Sequence, residues 1–211
     1  MSLNTQIFYF FNHAFQNPVF DAIMPFWTEL GSFVFIFFLV IAILIYAYIK
    51  NNETLKNIML LSLISLLLSG FFVVLLKNGF QEPRPFMSLD NVHLLVNETD
   101  PNSFPSGHTS STFAVVTFVL LNIGQLVKKH TKLVSICLII FAISIPFSRM
   151  YVGVHYPGDV LIGGIFGLAS AFVVNHFKEQ ILSIIRKLNN YNEEILWILK
   201  IKSFANHVQC H

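Results

Sequence analysis

A chain of 211 residues is the size of one domain and short for two. Its residues are 55% hydrophobic and 11% charged, with 23 Phe and a mean hydropathy of +0.66, whereas a soluble globular domain is usually about 25% charged. This excludes an ordinary soluble domain; the formal charge of +2 is no basis for nucleic-acid binding, and two cysteines make neither a disulfide framework nor a metal pattern.

The chain reads as an all-α integral membrane bundle of five to six spans with amphipathic terminal segments. No Lys or Arg precedes Lys50, so the basic region of a secretory signal peptide is missing and the first apolar segment is expected to stay in the mature protein. Residues 2–20 are aromatic-rich but interrupted by Asn12, His13, Gln16, Asn17 and Pro18, which suits an interfacial helix. Residues 21–49 make the first span, interrupted early by Thr28 and Glu29. A polar link with Lys50 and Lys56 leads into a second span over 57–76 that ends at Lys77. Residues 78–104, with prolines, acids and Arg84 as their sole cation, read as a loop with a short amphipathic piece. The third span, 106–127, has Ser103 or Ser106 available as N-cap and ends in Lys128, Lys129, His130 and Lys132. A fourth, 133–147, can extend through Tyr151. The fifth starts at Pro157, a favoured first helical residue, and offers Gly163, Gly164 and Gly167 for close helix contact before ending near Phe177. Apolar residues at helical spacing make 178–202 an amphipathic surface helix.

Cytoplasmic loops collect Lys and Arg. With the links at 50–56 and 128–132 and the tail placed in the cytoplasm, ten of the thirteen cations fall there. The other three, Lys77, Arg84 and Arg149, land on the opposite, extracytoplasmic side, together with His108, His155 and Asp159. Charges at membrane depth are costly and usually placed for function. Cations and histidines at the ends of four spans suit a phosphate, because Arg grips phosphoryl oxygens by a planar fork and Lys as a point charge. Backbone amides at Ser106 and Gly107 add helix N-terminal donors for an anion.

Lys77, six residues and Arg84-Pro85; Pro105-Ser106-Gly107-His108; Ser148-Arg149, five residues, His155, three residues and Asp159: this ordered set resembles the type 2 phosphatidic acid phosphatase family of membrane lipid phosphatases. The likeness covers about residues 55–177 of a single membrane-embedded domain. It implies a site that works without metal or other cofactor. By position, His155 is the nucleophile that becomes a phosphohistidine, Asp159 orients it, and His108 is general acid and then base. Lys77, Arg84, Ser106, Gly107, Ser148 and Arg149 would hold the phosphoryl oxygens. The expected partners are the bilayer and a lipid phosphate, with polyprenyl diphosphate favoured because Asn12, Pro18, Asp21, Ile23, Gly31 and Ser32 resemble bacterial or archaeal members of that branch. Phosphatidate, phosphatidylglycerol phosphate and lipid A phosphate are the alternatives.

The residues by themselves support the division of labour. One histidine must be deprotonated to attack while the other is protonated to donate, and Asp159 beside His155, with no carboxylate expected near His108, would separate the two. Two competing readings are a vanadate-binding haloperoxidase, which is soluble and so conflicts with the spans, and a non-catalytic lipid carrier, which would not require both histidines. Arg149, His155 and Asp159 could also be no more than a salt-bridged cap, and Lys77 a snorkelling anchor; the joint presence of all three motifs weighs against both.

Overall fold

The computed structural model describes residues 1–188, which fall into two units, Met1–Asn175 and the part of His176–His211 up to Leu188. In the second, residues 178–188 are helical; the rest of the expected tail helix, 189–202, lies outside the described residues. The first unit is helical: α1 Leu3–His13, α2 Pro18–Glu29, α3 Phe33–Ile49, α4 Glu53–Phe80, α5 Pro85–Ser88, α6 Gly107–Leu121, α7 Ile123–Leu126, α8 Thr131–Tyr151 and α9 Pro157–His176. Helix starts are set by local chemistry. Ser2, Asn17, Ser32, Asn52 and Ser106 each accept a first-turn backbone N–H through the side chain, satisfying amides that have no intrahelical partner.

The five expected apolar segments are all helical, with three changes of detail. α4, α8 and α9 are long and apolar enough to cross a bilayer alone, whereas α2 and α3 reach that length only together and are bent by 59° at the break between them. Hydropathy saw one run over 21–49; Gly31 and the new N-cap Ser32 break it. α6 is a shorter apolar helix of 15 residues, and the run expected to reach Val127 is interrupted at Asn122 before the single turn of α7. α4 continues to Phe80, so Lys77 lies inside its last turn instead of after it.

α6 packs between α4, α3 and α8. α9 crosses it at backbone contact, because a Cβ on Gly163 or Gly167 would stand 2.5 Å from the carbonyl oxygen of Ser106 or Ser110. Small residues permit this approach, which serves where lipid supplies no hydrophobic drive between helices. Ser106 N also donates to Asp159 O at 3.0 Å, tying the start of α6 to the start of α9.

The N-terminal helix does more than lie at an interface. Buried Asn12 donates through Nδ2 to the carbonyls of His93 and Tyr151, at 3.0 and 2.8 Å, and accepts from His93 N at 2.8 Å. Asp21 accepts from Tyr151 Oη at 2.5 Å and pairs with His93 Nε2 at 2.9 Å. α1 and α2 therefore clamp the 90–95 loop against the end of α8 that carries Arg149. Gly153, at φ +87°, lets the chain turn there with His93 O so close that a Cβ would meet it at 2.7 Å.

Candidate active site

The last turns of α4 and α8 and the first turns of α6 and α9 deliver Lys77, Arg149, His108 and Asp159. Arg84 is the residue before α5, and His155 lies in the five-residue link between α8 and α9. Arg84, Arg149 and His155 are among the largest fully buried side chains, and Asp159 is buried beside them. Buried ions are tolerable only when paired and hydrogen-bonded, and these are.

His155 and Asp159 form the more enclosed half. Asp159 is the third residue of α9, and its Oδ2 accepts the N–H of Tyr156 at 2.8 Å, the reach-back that caps a helix start. The same oxygen lies 3.3 Å from His155 Nδ1. On the other ring edge, Arg84 Nη1 is 3.2 Å from His155 Nε2. Arginine can only donate, so Nε2 carries the lone pair and Nδ1 carries the hydrogen that Asp159 accepts. Burial, and then the charges of Arg149, Arg84 and Lys77, hold the His155 pKa well below the ordinary histidine value. The ring is therefore neutral at neutral pH, with its free electron pair on Nε2.

His108 stands in a different setting. Its Nε2 is 3.4 Å from Arg149 Nη1, a donor, and 3.9 Å from Glu29 Oε1, an acceptor. This nitrogen has a hydrogen-bond donor beside it when neutral and a carboxylate countercharge nearby when protonated, an arrangement compatible with a group that gives a proton and later takes one. Arg149 Nη1 also donates to the hydroxyl of buried Thr28 at 3.2 Å. The expectation that no carboxylate lies near His108 is thus wrong: the end of α2, at its bend into α3, brings Glu29, 79 residues earlier, to within 3.9 Å of the ring, and Thr28 to Arg149. Read as interruptions of an apolar run, these two polar residues were the available signal.

Acids of the 78–104 loop complete the arrangement. Glu98 Oε2 accepts from Arg149 Nη2 at 2.6 Å, and its Oε1 is 3.6 Å from Arg84 Nη2. Lys77 Nζ pairs with Asp100 Oδ2 and donates to Asn102 O at 2.6 Å, while Arg84 Nε donates to Asp100 O at 2.5 Å. Against the upward push of burial, hydrogen bonds from Lys77 and the Asn102 N–H hold the Asp100 carboxyl below its usual range. Ser106 caps α6, accepting from Thr109 Oγ1 at 3.1 Å, and Gly107 opens that helix. Ser148, by contrast, turns to its own helix, donating to Ile145 O at 2.7 Å. Arg149 Nε is buried without an acceptor among the described residues, so one donor of the fork is uncommitted.

Known proteins share this architecture. The chain is 28% identical over 166 residues to the undecaprenyl-diphosphatase BcrC of Bacillus subtilis, covering 78% of each chain. The crystal structure of Aquifex aeolicus LpxE matches with a TM-score of 0.65 and 28% identity over 83% of this chain and 96% of that one. That of a transmembrane PAP2-type phosphatidylglycerolphosphate phosphatase from Bacillus subtilis matches with a TM-score of 0.72 and 26% identity, over 86% and 89%. Residues 58–182 match the PAP2 superfamily, and on that extent of agreement the chain belongs to this family and is a membrane lipid phosphatase.

Proposed function

We propose that this phosphatase removes the terminal phosphate of a polyprenyl diphosphate on the extracytoplasmic face of the membrane, through a phosphohistidine. His155 Nε2 attacks phosphorus as the bond to the leaving oxygen breaks, and His108 gives that oxygen its proton. Water then attacks phosphorus, His108 takes the water's proton, and the P–N bond breaks to return neutral His155 and inorganic phosphate. Asp159 holds the Nδ1 hydrogen and stabilises the charged ring of the intermediate. Lys77, Arg84 and Arg149 bind the phosphoryl oxygens, with the backbone N–H of Gly107 at the start of α6 as a further donor, while that of Ser106 is held by Asp159 O and ties α6 to α9; Ser148 supports the helix end that carries Arg149.

The observation that carries this reading is that each histidine Nε2 lies against the guanidinium of a different arginine, at 3.2 and 3.4 Å. A phosphoryl group gripped by both arginines would lie between nucleophile and acid. An apolar cleft of about 440 Å³, lined by Phe33, Leu67, Phe71, Val73 and Gly107 among others, reaches the start of α6 and suits a hydrocarbon tail. The diphosphate preference rests on the likeness to BcrC, and the sidedness on the cations at the opposite helix ends, Lys50, Lys56, Lys128, Lys129 and Lys132.

Phosphate release from undecaprenyl diphosphate, phosphatidate and phosphatidylglycerol phosphate tests the substrate. Undecaprenyl diphosphate is expected to give the highest kcat/KM, and a higher value for either phospholipid overturns the preference. With substrate labelled in its terminal phosphate, His108→Ala should accumulate acid-labile phosphoprotein and His155→Ala none; label retained by His155→Ala removes the mechanism. A probe at Ser88→Cys should react from outside intact cells, and labelling at Lys129→Cys instead would invert the topology.

A further inference from the structure

The 97–102 segment binds the cations that the substrate needs. Its Glu98 carboxylate spans both arginines, with one oxygen 2.6 Å from Arg149 Nη2 and the other 3.6 Å from Arg84 Nη2. That is the geometry in which a phosphoryl group presents two oxygens to guanidinium forks. Arg149 and Arg84 are 1% and 2% exposed, whereas Glu98 is 22% exposed and Asp100 42%. The acids therefore cover the arginines from the open side. Two buried guanidinium groups cannot bind a phosphoryl group and Glu98 through the same N–H donors at once.

The segment is tied down at its two ends and has little regular structure between them. Backbone bonds anchor it on either side, Leu95 N to Val152 O at 3.2 Å and Ser103 N to Glu82 O at 2.7 Å. Between these anchors the chain forms neither helix nor strand, apart from the bridge of Asn102 to Pro83. Asn97 and Thr99, which flank Glu98, are exposed. Contacts to Lys77, Arg84 and Arg149 hold Glu98 and Asp100 inward.

We propose that Glu98 is an internal anion that exchanges with the phosphoryl group: it leaves Arg149 and Arg84 as the headgroup enters and returns to displace inorganic phosphate after hydrolysis. This rests on the assignment of the two arginines to phosphate binding. The carboxylate weakens substrate binding, and in return it prevents three cations from trapping the product. An ion pair to a buried arginine also keeps that charge compensated between turnovers, since leaving it unpaired is costly.

Calorimetric titration of inorganic phosphate into the purified full chain, together with product inhibition of lipid phosphate release, tests the exchange. Glu98→Gln keeps the shape and removes the charge; it should bind phosphate about tenfold more tightly, corresponding to about 1.4 kcal/mol, and show lower KM and stronger product inhibition. Its thermal stability should fall without phosphate and recover more with phosphate than the wild type gains, because the ligand replaces the missing anion. Glu98→Asp should bind phosphate like the wild type, and so should Asp90→Asn, a loop acid away from the cations. Phosphate binding to Glu98→Gln that is unchanged or weaker overturns the proposal and makes Glu98 a fixed support of Arg149. A spin label at Asn97→Cys, with Cys137→Ser and Cys210→Ser, keeps the test open should Glu98→Gln not fold: added phosphate should mobilise the label, and an unchanged spectrum refutes the exchange. The titration needs no turnover, so a wild type that released no phosphate from lipids would fail the catalytic reading without deciding this one.

Discussion

The two histidines occupy opposite kinds of surroundings. His155 has its carboxylate four residues away, both groups are buried, and the same Asp159 oxygen also caps a helix. His108 has its carboxylate 79 residues away, on Glu29, whose side chain is 64% exposed and 3.9 Å from the ring. The nucleophile proposed for His155 needs one tautomer at all times, and a buried, doubly used partner supplies it. The acid and base proposed for His108 needs partners for both states, and a looser carboxylate on one side with a guanidinium on the other suits that role.

Asp159→Asn should break the tighter half. The amide can present its N–H to Nδ1 and favour the wrong tautomer, so a loss of about 10³- to 10⁴-fold in kcat is expected, as for orienting aspartates elsewhere, with substrate KM little changed. A loss below tenfold would mean that Asp159 serves the helix cap alone. Glu29→Gln should cost less, about tenfold in kcat. That loss should grow as pH rises, because the carboxylate favours the protonated ring; a pH-independent loss would make Glu29 merely structural.

The smallest effect concerns pH. His155 is held below the ordinary histidine pKa of about 6.5, so the acid limb of kcat/KM should lie below that value, where the nucleophile finally protonates. The sign for stability follows from proton binding. The unfolded chain takes up a proton at this histidine near its ordinary pKa and the folded chain does not, so stability falls as pH drops from about 6.5 towards the folded value. An acid limb above 6.5 would show that burial does not keep His155 neutral.

Much of this site was legible in one dimension because its parts are short and local. Lys77 to Arg84, Pro105 to His108 and Ser148 to Asp159 each lie at a helix end with the adjoining link, and the fixed spacings follow from helix caps and turns, as the Tyr156 to Asp159 cap shows. The apolar runs named the helices for the same reason, since hydrocarbon requires every backbone group to be bonded within the segment. Thr28, Glu29 and Glu98 were not legible as site residues. Thr28 and Glu29 sit in an apolar run whose 59° bend hydropathy does not register, and Glu98 sits in a loop whose path is set by cations 14 to 51 residues away. The expected role of Asn12 and Asp21 as family-like positions resolves into hydrogen bonds that clamp the loop against α8.

By itself the sequence determined that the chain is a membrane helical bundle and roughly where its apolar segments lie, because composition and hydropathy are local properties of a chain in lipid, and its three ordered motifs carried the resemblance to the phosphatase family. Only the tertiary structure decided which nitrogen of His155 is free, what stands beside His108, and that a loop carboxylate holds the arginines. Those depend on distances between side chains far apart in sequence, and electrostatic interaction in a buried site is set by those distances rather than by the order of residues.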